Sequence, residues 1–98
     1  MRIRWTRPAA NALSAVQEYI ARENPRAAFE VVQHIRVAVE QLRDQPRMGR
    51  KGRVRGTHEL VINSKPYIVP YRIKKSEIQV LSVYHTSRKW PESFEEQE

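Results

Sequence analysis

Four side chains of this sequence could do chemistry on a phosphate ester. Glu59 could serve as a base and His85 as an acid, and Arg72 or Arg88 could hold the charge on the phosphate. Histidine has the intrinsic pKa that proton transfer near neutrality needs. Each also has an ordinary structural explanation. Glu59 could be a strand-face carboxylate paired with a neighbouring Arg, His85 a polar strand end, and Arg72 the exposed side of a sheet. A second concentration of candidates lies in residues 43–56, where Arg43, Arg47, Arg50, Lys51, Arg53 and Arg55 are interrupted by Gly49, Gly52 and Gly56. Its only acid is Asp44. Glycine-rich backbone flanked by Arg can cradle phosphates or contact an anionic surface. The spacing is not that of a Walker loop, so nucleotide hydrolysis is not supported. Arg50, Arg53 and Arg55, with Arg88 and Trp90 further on, are the candidates for touching a target. Trp5 and Trp90 read first as packing residues. No metal-ligand spacing or cofactor motif is visible.

Charge and size bound the partners. In 98 residues, 18 Lys and Arg face 11 Asp and Glu. Four of those acids, Glu92, Glu95, Glu96 and Glu98, stand in the last seven residues. The eighteen cations against the other seven acids leave residues 1–90 at +11. Such a field favours nucleic acid or an acidic protein. Arg dominates over Lys, and its planar fork grips phosphate and carboxylate. With no cysteine, disulfides and Cys-based zinc sites are excluded, and a reducing cytoplasm is the expected location. Met1-Arg-Ile-Arg-Trp5 has no apolar h-region of a signal peptide, and no run approaches the roughly 18 apolar residues that span a bilayer.

The elements that must position these residues follow from periodicity. Arg2–Trp5 alternates as a short strand. Thr6 caps a helix with Pro8 in its first turn, and Ala9, Leu13, Val16 and Ile20 form one stripe of it to about Arg22. Asn24 caps a second helix with Pro25 at its first position. That helix buries Ala28, Val31 or Val32, Ile35, Val39 and Leu42, and ends before Pro46. The short link makes the pair antiparallel. After the basic connection 43–56 the period becomes two. His58–Ile62 is a strand, Asn63–Pro66 a turn, Tyr67–Ile73 a strand with Tyr67, Val69, Tyr71 and Ile73 on one face, Lys74–Glu77 a turn, and Ile78–Tyr84 the last strand. Pro70 has no N–H to give, so its place in the ladder is at a bulge or an unpaired side. The expected fold is α+β, β-α-α-β-β-β in two layers, a helical hairpin on a small twisted antiparallel sheet. It is expected as one domain over residues 1–91, with a flexible acidic tail over 92–98.

That order, carried by particular residues, resembles the RelE/ParE superfamily of toxins from type II toxin–antitoxin systems. The residues are Trp5-Thr6, Tyr19-Ile20, Asn24-Pro25 with Ala27-Ala28, Pro46, Gly49-Arg50, the run Arg53 to Leu60, the run Pro66 to Ile73, Val80 to His85, then Arg88, Trp90 and Pro91. The resemblance implies a growth-inhibitory toxin neutralised by a cognate antitoxin in a hetero-oligomer. The antitoxin would have a DNA-binding N-terminal part and a C-terminal segment that folds on the toxin. RelE-like members cleave mRNA on the ribosome, with the 2′-hydroxyl attacking its own phosphate. ParE-like members inhibit DNA gyrase without being nucleases.

One departure separates the branches. RelE-like nucleases carry an Arg four residues before the Arg of the Tyr-Arg pair. Here that pair is Tyr71-Arg72 and the position holds Ile68. An aliphatic side chain does not stabilise a phosphorane. No Tyr directly follows His85 either. The pattern Pro66-Tyr-Ile-Val-Pro-Tyr-Arg72 is closer to the ParE-like, plasmid-stabilisation branch. Gyrase inhibition is therefore the first expectation, and ribosome-dependent mRNA cleavage by Glu59, Arg72, His85 and Arg88 the alternative.

Overall fold

A computed structural model describes residues 1–87 and 89–94. The order is β1 (Arg2–Trp5), α1 (Arg7–Ala21), α2 (Pro25–Glu40), a 3₁₀ turn (Gln41–Arg43), β2 (Arg50–Lys51), β3 (His58–Val61), β4 (Tyr67–Lys74), β5 (Glu77–Val80) and β6 (Tyr84–His85). Two helices pack on one face of a six-stranded sheet in the spatial order β1-β5-β4-β3-β2, with β6 also paired to β4.

Both helix starts are fixed by the expected caps. Thr6 Oγ1 accepts from the Ala9 N–H at 3.3 Å, and Asn24 Oδ1 from the Ala27 N–H at 3.0 Å. Thr6 does more than cap. It is fully buried, and its hydroxyl donates to the Val80 carbonyl at 2.7 Å. One side chain thus joins the end of β1, the end of β5 and the start of α1. The helices contribute Ala9, Leu13, Val31, Val32, Ile35 and Val39 to the core, and the 3₁₀ turn adds Leu42. The sheet answers with Leu60, Tyr67, Val69, Tyr71, Ile78 and Val80. Ile3, Trp5, Val16, Ile20 and Ile73 pack around them. Arg36 lies over the Trp5 ring at 5.9 Å, so this tryptophan is a packing residue.

Three expectations need correction. The sheet is mixed, because β1 pairs β5 in parallel, Arg2 opposite Glu77 and Trp5 opposite Val80. The connection 43–56 is not all loop, because Arg50 and Lys51 pair antiparallel with Glu59 and His58. Ile78–Tyr84 is not one strand. β5 pairs β4 with Val80 opposite Tyr71, whereas β6 pairs it with Tyr84 opposite Ile68, a register displaced by one residue. The extra residue falls in Leu81–Val83, beside Pro70, whose carbonyl accepts the Leu81 N–H at 2.9 Å. A strand residue's N and O point to the same side, so the missing N–H of Pro70 faces that bulge. The tight turns need left-handed residues, supplied by Ser64 (φ 65°) and Lys75 (φ 59°).

Candidate functional site

Alternation along β4 puts Tyr67, Val69, Tyr71 and Ile73 under the helices and Ile68, Pro70, Arg72 and Lys74 on the opposite face. Cross-strand register carries the division across the sheet. Arg4, Gln79 and Arg72 form one row of the helix-free face, Arg2, Glu77 and Lys74 the next, and Pro70, Glu59 and Arg50 a third. His85 lies opposite Tyr67 and meets its ring edge-on at 5.4 Å, so it belongs to the helix side.

Glu59 is the centre of the helix-free face. Its side chain is 2 % exposed. Arg50 donates to Oε1 through Nη2 at 2.9 Å and Nε at 3.0 Å. Arg53 donates to Oε2 through Nε at 2.9 Å and through its backbone N–H at 2.8 Å. Burial alone would raise the pKa of this carboxyl. The hydrogen bonds from the Arg53 side chain and backbone and from Arg50 outweigh it and hold the pKa below the ordinary value. Glu59 is thus a charged tie between β3 and the basic segment, with its oxygens occupied by the donors of Arg50 and Arg53. It is a strand-face carboxylate paired with neighbouring Arg side chains.

The other side of Arg53 faces an aromatic. Its guanidinium carbon stands 3.9 Å from the centroid of Trp90, which stacks on Tyr84 at 4.7 Å. Trp90 is half-buried, and its indole N–H is buried without a partner among the described residues. Arg50 and Arg53 remain about half exposed, at 54 % and 45 %. Arg55 is exposed and makes no ion pair among the described residues. Arg88 lies outside the described residues, as does the tail from 95 on.

Tyr71 anchors the other end of the basic segment. Its hydroxyl donates to the Pro46 carbonyl at 2.8 Å and accepts the Gly49 N–H at 3.0 Å. A Cβ at Gly49 would stand 2.6 Å from that hydroxyl, so glycine is required there by close approach. Burial raises the Tyr71 pKa against the opposing Gly49 hydrogen bond, and the group stays a neutral donor.

A second network occupies the β1–β5–β4 end of this face. Glu77 receives Arg2 at 3.1 Å, Arg4 at 3.3 Å and Gln79 Nε2 at 3.0 Å, and Gln79 Oε1 receives Arg72 Nε at 3.0 Å. The hydrogen bond from Gln79, with those of Arg4 and Arg2, lowers the Glu77 pKa against a smaller effect of burial.

The three candidates for phosphate-ester chemistry that lie among the described residues, Glu59, Arg72 and His85, are therefore not brought together, and Arg88 lies outside them. Glu59 and Arg72 share the helix-free face, His85 points to the other, and Ile68, 5 % exposed, fills the cation's place. His85 Nδ1 accepts the Ser87 N–H at 3.2 Å, which leaves the neutral ring's proton on Nε2. Among the described residues no His, Asp and Glu cluster could hold a metal, and no helix is long and apolar enough to cross a membrane.

Sequence reasoning missed one surface. A groove of about 620 Å³ runs along the outer side of α2 and the end of β3. Phe29, Val37, Met48 and Val61 stand exposed along it. β2 covers β3 only at His58 and Glu59, so the edge at Leu60–Val61 has no strand beside it among the described residues. The faint signal was the pairing of Phe29 and Val37 off the buried stripe of α2.

Residues 3–90 match the family of ParE toxins of the type II toxin–antitoxin system parDE. The protein is 43 % identical to protein Y4kP of Sinorhizobium fredii over 91 residues, 93 % of this chain and 94 % of that one. It is 27 % identical to toxin RelE2 of Caulobacter vibrioides over 84 residues, 86 % of this chain and 93 % of that one. Its fold is similar to that of a chain from the chromosomal ParDE toxin–antitoxin system of P. aeruginosa, with a TM-score of 0.72 and 33 % identity over 87 % of this chain and 95 % of that one.

Proposed function

The chain belongs to the ParE toxin family of type II toxin–antitoxin systems, and from that premise we propose that it arrests growth by inhibiting DNA gyrase and does not cleave mRNA. The observation that supports this is the dispersal of the acid–base set. A general base must reach the proton it takes. Glu59 is fully engaged by Arg50 and Arg53, and His85 stands on the other face of the sheet. The target-contact surface in this reading is the basic segment with Arg50, Arg53 and Arg55, together with Trp90 and Arg88. Arg50 and Arg53 are held rather than free, so they offer their outward N–H groups from fixed positions.

The antitoxin partner is read onto the groove beside α2. Its C-terminal segment folds there, placing apolar residues over Phe29, Val37 and Met48 and running a strand along the open edge of β3. The +11 body favours an acidic segment and a fast, salt-sensitive encounter. The deciding experiment runs gyrase supercoiling and cell-free translation side by side on the free protein. Inhibited supercoiling with intact translation is expected. Ribosome-dependent mRNA cleavage abolished by His85→Ala would overturn the reading.

A further inference from the structure

The helix-free face sorts its charges by depth. Among the described residues of its strands the two acids lie low, Glu59 at 2 % and Glu77 at 17 % exposure. The guanidiniums bound to them stand outward, Arg2 at 78 %, Arg50 at 54 %, Arg53 at 45 % and Arg4 at 31 %. Arg72 and Lys74 share the same rows. An approaching partner meets Arg2, Arg4, Arg50 and Arg53, whose orientation is set by the carboxylates beneath. The cations stand on β1, β4 and β2, so they reach from one edge of the five-strand path to the other. At about 4.8 Å per strand spacing, that is a band about 19 Å wide.

From this layering we infer that the helix-free face binds the phosphate backbone of duplex DNA. A band of fixed guanidinium forks suits a repeating polyanion, because each fork matches a phosphate and the charges are spread rather than focused. A protein partner would need an apolar anchor at the centre of the patch. Ile68 and Pro70 are buried, and the exposed apolar residue of this face, Val61, stands at its end opposite Ile68, away from the rows of charge. Single-stranded nucleic acid would need open aromatic platforms. The aromatics beside it, Tyr84, Trp90 and Phe94, are packed together at tilted angles, and the Trp90 ring is covered by Arg53. Glu59 and Glu77 are positioning residues in this scheme. The proposal adds DNA to the gyrase reading, but bare duplex is measured without gyrase, so failure here leaves the toxin reading standing.

The test is fluorescence anisotropy of a labelled 20-base-pair duplex with the full chain, titrated between 50 and 200 mM salt. Arg2→Ala with Arg4→Ala is compared with Arg7→Ala with Arg26→Ala, which removes equal charge from the helical layer. The face pair should weaken binding about tenfold and lower the log–log salt slope by about 2, one per phosphate contact. The helical pair should change both little. Glu77→Gln gives the sharper outcome. Charge alone predicts tighter binding from the added positive charge, whereas loss of positioning predicts weaker binding. Glu59→Gln repeats this at the other network, with circular dichroism confirming that each variant is folded. The inference is overturned if duplex does not bind, if both double variants lose affinity equally, if Glu77→Gln tightens binding, or if single-stranded RNA of equal length binds better.

Discussion

The two faces of the sheet are made by alternate residues of the same strands, yet they hold together differently. Under the helices, Leu60, Val69, Tyr71, Ile78 and Val80 meet Leu13, Ile35 and Val39, and the interaction is apolar area. On the other face the strands carry Arg4, Gln79, Arg72, Glu77 and Glu59, and the contacts are charge-assisted hydrogen bonds. The helical face tolerates no exposed design, because every side chain in it must fill space. The other face keeps its acids sunk and its cations half out, so one arrangement both ties the basic segment down and leaves charge for a partner. Stability and recognition are separated by face, and substitutions on the two faces should separate in the same way.

The largest effect is expected under the helices. Ile35→Ala or Leu13→Ala removes a buried side chain and leaves a cavity, at about 2–5 kcal/mol. In a domain of this size that consumes much of the total stability, so loss of growth arrest should track loss of the folded state in thermal melts. An Ile35→Ala protein that melts within a few degrees of the parent would show that the helical hairpin does not hold the core together.

Across the sheet the expected effect is smaller but specific. Glu59→Ala leaves Arg50 and Arg53 without their shared acceptor. Breaking a buried pair costs about 3–5 kcal/mol, and half-exposed partners that water can reach reduce that to about 1–3 kcal/mol. Gly49→Ala should cost a similar amount, because the new Cβ must displace the Tyr71 hydroxyl from both its partners. A chemical-denaturation midpoint unchanged in both variants would mean that the basic segment is not held by these ties.

Acid should undo the polar face first. A carboxyl whose folded pKa lies below its unfolded value of about 4.3 stabilises the protein above that value. The contribution is lost as pH falls through the lower folded value. Glu59 and Glu77 are both of this kind. The melting temperature should stay level down to about pH 5 and fall below about pH 4. Glu59→Gln should melt lower at pH 7 and show a shallower acid limb. An unaltered limb would locate the acid sensitivity elsewhere.

The same division explains what was legible in the sequence. The apolar face announced itself through period: Ala9 and Leu13, Ile35 and Val39, Tyr67 to Ile73 all fell where spacing put them. The caps at Thr6 and Asn24 and the bulge at Pro70 were local chemistry and equally readable. The polar face was not, because it depends on pairings between residues far apart in the chain. Nothing local says that Arg2 meets Glu77, 75 residues away, or that β1 enters the sheet in parallel. Nor does alternation reveal that the register slip after Val80 sends His85 to the helix side, away from Glu59. The one-residue slip that exchanges faces is invisible until the strands are paired.

Arg53 and Arg55 sharpen the comparison further, because they stand two residues apart in one segment that the sequence alone treats as uniform. Arg53 is clamped between Glu59 and Trp90, with Nε at 2.9 Å from the carboxylate and the guanidinium 3.9 Å from the indole centroid. Arg55 is exposed without an ion pair among the described residues. Arg53→Ala should therefore lose about 1–2 kcal/mol, since it removes charge-assisted hydrogen bonds and a cation–π contact. Arg55→Ala should stay within about 0.5 kcal/mol of the parent, as exposed substitutions do. Growth arrest and melting temperature measured on both variants distinguish the roles. If Arg55 touches the target, its variant melts like the parent and no longer arrests growth. The Arg53 variant should lose both, and Arg53→Lys should recover little of either. A single ammonium cannot donate in parallel to one carboxylate while lying flat on the indole. An Arg55→Ala protein that arrests growth at parental level would move the contact surface off the turn and onto the clamped arginines of the sheet face.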